Sequence, residues 1–243
     1  MASLETSCRT DVGRRRAENQ DSLLVERVGD AHLLAVADGL GGHAAGAVAS
    51  RVATIEIAQF LKANLTEDNP VAALKQAIAK ANKEIYLLSR ENPAYAGMGT
   101  TLVAAILLPE RVWVANVGDS RAYLVGDAIE QVTKDHSLVQ QLVDGNVITP
   151  DEAFGHPQKN IVTRTLGLDE EPNPDLYEDV ELSGRVLLLC SDGLTDSLRD
   201  EEIRSLVVAS ANLDEACTRL VDLANEKGGA DNISVVMARQ PEQ

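Results

Sequence analysis

Four times in the chain an aspartate stands with a glycine at the edge of an apolar segment: VADG (Asp38, Gly39), VGDS (Gly118, Asp119), CSDG (Asp192, Gly193) and GGADN (Gly229, Asp231). Asp-Gly is an ordinary turn signal, and any one of these taken alone reads as a turn. A hairpin turn, however, is followed at once by another strand. LGGHAAGAVAS after Asp38-Gly39 and LTDSL after Asp192-Gly193 are not strand-like. At these two sites the turn reading weakens, and a carboxylate fixed at the end of a rigid strand takes its place.

The segments around these acids outline the fold. DAHLLAVADG, from Asp30, reads as a buried strand. Two helices should follow it, one over roughly Ala45 to Leu65. The second opens at Pro70, with Val71, Leu74, Ile78, Ala81, Ile85 and Leu88 spaced alternately by three and four. Thr101 to Leu108, Arg111 to Val117, Arg121 to Val125 and Ile129 to Thr133 read as successive strands on short turns, which predicts antiparallel pairing between neighbours. Between Asp135 and about Gly167 the strand pattern lapses around an insertion at about 137–167, and Thr149-Pro150-Asp151-Glu152 carries a capping-box signature with proline at the first helical position. An insertion of this kind is often a functional flap. Arg185 to Leu189 is another strand, helices are expected from about Asp200 and Leu213, and Ile233 to Ala238 is the last strand. The order predicts an α+β fold: a central sandwich of two antiparallel β-sheets flanked by helices, as one domain over residues 1–243.

Composition narrows the function. The core is aliphatic, since only 3% of residues are aromatic. The formal charge of −16 argues against nucleic acid or an anionic membrane as a partner, because phosphate binding needs Lys and Arg to dominate a face. A phosphorylated substrate meets the same repulsion unless a cation-loaded carboxylate cluster reverses the sign locally. Cys8, Cys190 and Cys217 are odd in number and lack CxxC spacing, so neither a zinc ribbon nor a disulfide framework is indicated. No apolar run approaches the roughly 18 residues of a membrane span, and no signal peptide is visible, so a cytoplasmic location is expected.

Several strand-end acids converging on one point would repel one another strongly if bare. A hard cation resolves that conflict, lowers the pKa of bound water and polarises a phosphoryl oxygen, and glycine lets a backbone carbonyl join its shell. Oxygen-only ligation favours Mg²⁺ or Mn²⁺ over zinc. In GRRRAENQDS a guanidinium near those acids would clamp a phosphate, although three successive arginines also read as a solvated basic patch. His43, five residues beyond Asp38, suits a general acid; a lone histidine is otherwise structural or merely exposed.

The ordered blocks RAENQD, VADGLGGH, GMGTT, VANVGDSRAY, TKDHS, LLLCSDGLTD and GGADNISVV span nearly the whole chain. Together they resemble the PPM (type 2C) family of metal-dependent protein serine/threonine phosphatases, in its bacterial single-domain branch. The resemblance implies a binuclear centre whose bridging water attacks phosphorus directly. It makes Asp38 the acid bridging both metals, with the Gly39 carbonyl on one of them, and Asp192 and Asp231 the remaining ligands. Asp21 resembles the acid that holds metal-bound water, and Asp119 resembles the partner of Asp192 at a third, weaker metal. Arg16 sits where the family's phosphate-binding arginine sits, while Arg14 and Arg15 match no motif position. His43 resembles the general acid, and Asn232 would support the site. No catalytic residue is carried onto the flap, where His156, Lys159 and Arg164 read as solvated positions in preference to contacts for a phosphoprotein. Expected partners are phosphorylated proteins and, by family analogy, Ser/Thr kinases whose signalling the chain counteracts, and a monomer is expected.

Two other readings remain open. Gly39 to Ala44 also fits GxGxxA after a strand, the fingerprint of a dinucleotide-binding oxidoreductase. Against it, Asp38 would face the pyrophosphate, and the first helix leads to a second helix instead of a strand. A non-catalytic phosphoprotein-binding regulator on the same fold would be marked by loss of a metal acid, and every motif acid is present.

Overall fold

The computed structural model describes residues 4–42, 44–108 and 111–240. Three strands open the chain: β1 (Glu5–Asp11), β2 (Asp21–Val28) and β3 (Ala31–Leu40). Helices α1 (Ala45–Asn64) and α2 (Pro70–Glu91) follow, the second with proline in its first turn, where the missing N–H costs nothing. Leu74, Ile78, Ala81 and Ile85 are its buried stripe, as their spacing predicts. Next come β4 (Gly99–Thr100), β5 (Leu102–Leu107), β6 (Val112–Val117), β7 (Arg121–Val125) and β8 (Ile129–Gln131).

The insertion holds two short helices, α3 (Leu138–Asp144) and α4 (Pro150–Phe154). The capping box of α4 is formed: Thr149 Oγ1 accepts from the Glu152 amide, and the Glu152 carboxylate accepts from the Thr149 amide at 2.8 Å. The chain closes with β9 (Asp175–Val180), β10 (Val186–Cys190), the single turn α5 (Asp192–Thr195), α6 (Asp200–Ala209), α7 (Leu213–Glu226) and β11 (Ile233–Arg239).

Two sheets result, ordered β1-β11-β10-β7-β8 and β2-β3-β5-β6-β9, with β4 on the end of β3. All of their pairings are antiparallel. The two-residue side-chain period of a strand then sorts the core into layers. Along β3, Leu33, Ala35 and Ala37 face α1 and α2, whereas Leu34 and Val36 face the other sheet. Leu188 and Cys190 of β10 pack under α6 and α7, while Leu187 and Leu189 fill the space between the sheets. The expected sandwich flanked by helices is therefore present. Among the described residues no helix is long and apolar enough to cross a membrane.

One expectation fails. β6 and β7, only three residues apart, do not pair: β6 lies between β5 and β9, and β7 between β10 and β8. The Gly118-Asp119-Ser120 turn carries the chain from one sheet to the other. The dinucleotide reading falls as well, since α1 runs into α2 and no parallel strand follows.

Candidate active site

The acids of the four Asp-Gly pairs sit where the two sheets meet at one end. Asp21 opens β2, and its cross-strand partner is Asp38, near the end of β3. Asp192 begins α5 directly after β10, and Asp231 lies two residues ahead of β11, the antiparallel neighbour of β10. Asp119 is in the crossing between β6 and β7.

Backbone contacts hold these pieces in place. The Asp38 carbonyl accepts from the Thr101 amide and the Thr100 hydroxyl, each at 2.8 Å, and the Asp38 amide donates to Thr101 Oγ1 at 3.0 Å. Thr101 Oγ1 lies 2.7 Å from Ser120 Oγ, so the GMGTT block ties the Asp38 strand to the Asp119 turn. Two glycines permit this. A Cβ at Gly39 would fall 2.1 Å from the Gly46 carbonyl of α1. Gly118, at φ +110°, would place one 2.7 Å from Thr101 Cβ. Asn232 binds the N-terminal segment from below: its Oδ1 accepts from the Gln20 amide at 2.8 Å, and its Nδ2 donates to the Val12 and Glu18 carbonyls. That segment delivers Arg16, whose Nη2 donates to Asp231 Oδ2 at 2.7 Å. The guanidinium stays about half exposed and open to a ligand.

Electrostatically the five aspartates are one unit. Burial pushes the Asp38 carboxyl well above the usual carboxylate range, and the charges of Asp21, Asp192, Asp119 and Asp231 push it further. Asp192 is raised in the same way, by burial first and then by Asp119, Asp196, Asp231 and Asp21. Burial brings Asp21 to about 6 despite hydrogen bonds from Ser234 and Ser191, and it brings Asp119 to about 7 with help from Asp135. Arg16 is held more firmly charged by Asp231, and also by Asp38 and Asp192.

Among the described residues no three acid, cysteine or histidine side chains close into a ready-made cation cage. Two of the acids are turned toward protein donors: Asp231 toward Arg16, and Asp21 toward the Ser191 hydroxyl at 2.8 Å. The donor set nonetheless fits hard divalent ions. Asp192 Oδ1 and Asp21 Oδ1 are buried without a hydrogen-bond partner, and the charges around them are mostly negative, against the cations Arg16, Arg121 and Lys159. Protons or cations must supply the missing positive charge.

His43, the expected general acid, lies outside the described residues. Arg164 is turned away to Asp175 and His136. Lys159 is not simply solvated: its Nζ pairs with Asp196 Oδ2 at 3.0 Å. No role for Asp196 is read from the sequence, although it follows Asp192 by one helical turn within LLLCSDGLTD. Ser191 and Ser234, which orient Asp21, also sit unassigned inside quoted blocks.

A family model described as protein phosphatase 2C matches residues 13–234. The chain is 40% identical to the serine/threonine phosphatase stp of Listeria innocua over 96% of its own length and 94% of that protein's. Among solved structures it is similar to the serine/threonine phosphatase Stp1 of Staphylococcus aureus, with TM-score 0.94, 39% identity, and 99% and 96% of the two chains covered. It is also similar to the catalytic domain of the serine threonine protein phosphatase PstP in complex with two manganese ions, with TM-score 0.84, 38% identity, and 97% of each chain covered.

Proposed function

The chain belongs to the protein phosphatase 2C family, and from that premise we propose that it hydrolyses phosphoserine and phosphothreonine in proteins, using divalent cations. The observation that carries this reading is the convergence of five aspartates from two sheets beside one half-exposed arginine, with buried carboxylate oxygens left unpaired. Asp38, the Gly39 carbonyl, Asp192 and Asp231 would hold two Mn²⁺ or Mg²⁺ ions, with Asp21 acting through water. Asp119 and Asp192 would hold a weaker third. Bound there, such ions supply Lewis-acid chemistry, acidifying water and drawing charge from the phosphoryl oxygens.

The protein's own groups do the rest. Arg16 exchanges Asp231 for the phosphate and fixes it through paired N–H donors. Asn232 keeps the Arg16 segment in register with Asp231. His43 protonates the serine or threonine oxygen as its bond to phosphorus breaks and a water oxygen takes its place, leaving inorganic phosphate and a free hydroxyl. The flap, about residues 137–167, borders the site of this single domain (1–243). On this reading the protein acts in the cytoplasm as a monomer, removing phosphate placed by Ser/Thr kinases. With its net charge of −16 it has neither nucleic acid nor membrane as a partner.

The test is turnover of a phosphothreonine peptide. Activity should require Mn²⁺ or Mg²⁺, vanish with chelator, and fall by about 10²-fold or more in Asp38→Asn. Chelator-resistant turnover would sink the mechanism, and metal-dependent turnover surviving in Asp38→Asn would sink the site assignment.

A further inference from the structure

Two cavities open on the acid centre, one on each side of the bridge between Lys159 of the flap and Asp196. They share Phe154, Lys159 and Asp196 as their dividing wall. Two cations contact the Phe154 ring in this wall: the Arg199 guanidinium, 4.0 Å from its centroid, and the Lys159 ammonium at 5.6 Å. Arg199 also pairs with Asp151 of α4 at 2.6 Å.

The two sides differ in charge. The larger cavity, about 570 Å³, reaches Asp119 and Asp192 and is bordered by Asp135, Asp151, Asp200 and Glu201. Its cations Arg121, Arg199 and the shared Lys159 are paired with Asp135, Asp151 and Asp196. The smaller, about 450 Å³, contains Arg16 and Asp231 and, besides the shared Lys159, adds Lys227 and the amide-bearing Asn160. Among the described residues each cavity carries three cations, so the difference lies in the acids: Asp196 and Asp231 alone line the smaller, against seven carboxylates on the larger. Lys227 follows α7, and its ammonium meets Glu202 at 2.5 Å. Both partners are partly exposed, and exposed pairs of this kind change partners at little cost.

Resting on the phosphatase reading, we propose that the smaller cavity is a subsite for an acidic side chain flanking the phosphoresidue, with Lys227 as its specificity-determining residue. A phosphate on Arg16 places the adjoining peptide between this cavity and the acidic one. A carboxylate is therefore accepted on one side of the phosphoresidue and repelled on the other. The net charge of −16 does not prevent this at physiological salt, where charges more than about 8 Å away are largely screened.

The experiment uses alanine-based phosphothreonine peptides with two glutamates or two lysines placed either before or after the phosphothreonine. They are assayed with Mn²⁺ at physiological salt beside p-nitrophenyl phosphate. In one orientation only, kcat/KM should be higher for glutamate than for lysine, by about three- to tenfold. Lys227→Gln should cut that preference about two- to fivefold, with Lys227→Arg retaining it and p-nitrophenyl phosphate turnover unchanged in both. Equal turnover of all peptides, the same preference on both sides, or a preference that survives in Lys227→Gln overturns the subsite. Failure of the wild-type protein to turn over any of these substrates with Mn²⁺ overturns instead the functional reading on which it rests.

Discussion

Asp119→Asn removes one charge from the acid centre without changing its shape, and the size of its effect follows from where the residue sits. The carboxyl is buried in the crossing between the sheets, and burial, with the charge of Asp135, moves its pKa from 3.8 to about 7. At about 1.4 kcal/mol for each pH unit, ionising it in the metal-free folded protein costs about 4 kcal/mol that the unfolded chain does not bear. A raised carboxyl pKa means that the folded state holds the proton more tightly than the unfolded state. This contribution is therefore absent below about pH 4, grows as a destabilisation between pH 4 and 7, and is complete above pH 7. Urea unfolding of chelated wild type and Asp119→Asn across pH 4 to 8 tests this. The two should agree near pH 4, and the variant should be more stable at pH 8 by up to about 4 kcal/mol. Parallel profiles would refute the reasoning, because they would mean that the charge is not buried as the turn requires. Added Mn²⁺ should then raise the Tm of the wild type more than that of the variant.

Arg16→Ala should chiefly raise KM for a phosphopeptide, by about tenfold or more for loss of a charged, paired hydrogen bond, while metal occupancy is retained. A rise no larger than in Arg14→Ala would refute the assignment of Arg16. Buried Asn82 of α2 holds the end of the insertion, accepting from the Gly167 amide at 2.8 Å and donating to the Asp169 and Glu170 carbonyls. Asn82→Ala should cost about 2–3 kcal/mol in urea unfolding, and a loss within about 0.5 kcal/mol would show that the anchor carries little weight.

Where a segment faces the core on one side or both, its residues announced its structure. The stripe from Leu74 to Ile85 gave α2, and the aliphatic runs gave β3, β5, β6, β10 and β11. Partner choice was hidden for the same reason. β6 and β7 are apolar on both faces, so nothing in VANVGDSRAY distinguishes a hairpin from a crossing between sheets. β1, β2 and β9 carry no clear strand pattern because they are outer strands with charges at partly exposed positions, as sheet edges tend to have. In the site, motif position singled out acids and an arginine that the fold brings together. Asp196 and Lys159 could not be paired from sequence, because their contact depends on how the flap lies across α5.

The crossing that the sequence concealed is also what makes the acid centre possible. Asp21 and Asp38 belong to one sheet, Asp192 and Asp231 flank the ends of inner strands β10 and β11 of the other, and Asp119 lies on the strap between them. The hydrogen bonds that reach from one side to the other at this end include Ser191 to Asp21, Asn232 with Gln20 and Glu18, and Thr101 with Ser120 at the strap. The mutual repulsion of the acids works against this junction, and it weakens once the carboxylates share positive charge. Cations that bind across it therefore act on the packing of the two sheets as well as on phosphate. Loading should stabilise the whole fold, because a ligand set split between two sheets exists only while they are docked.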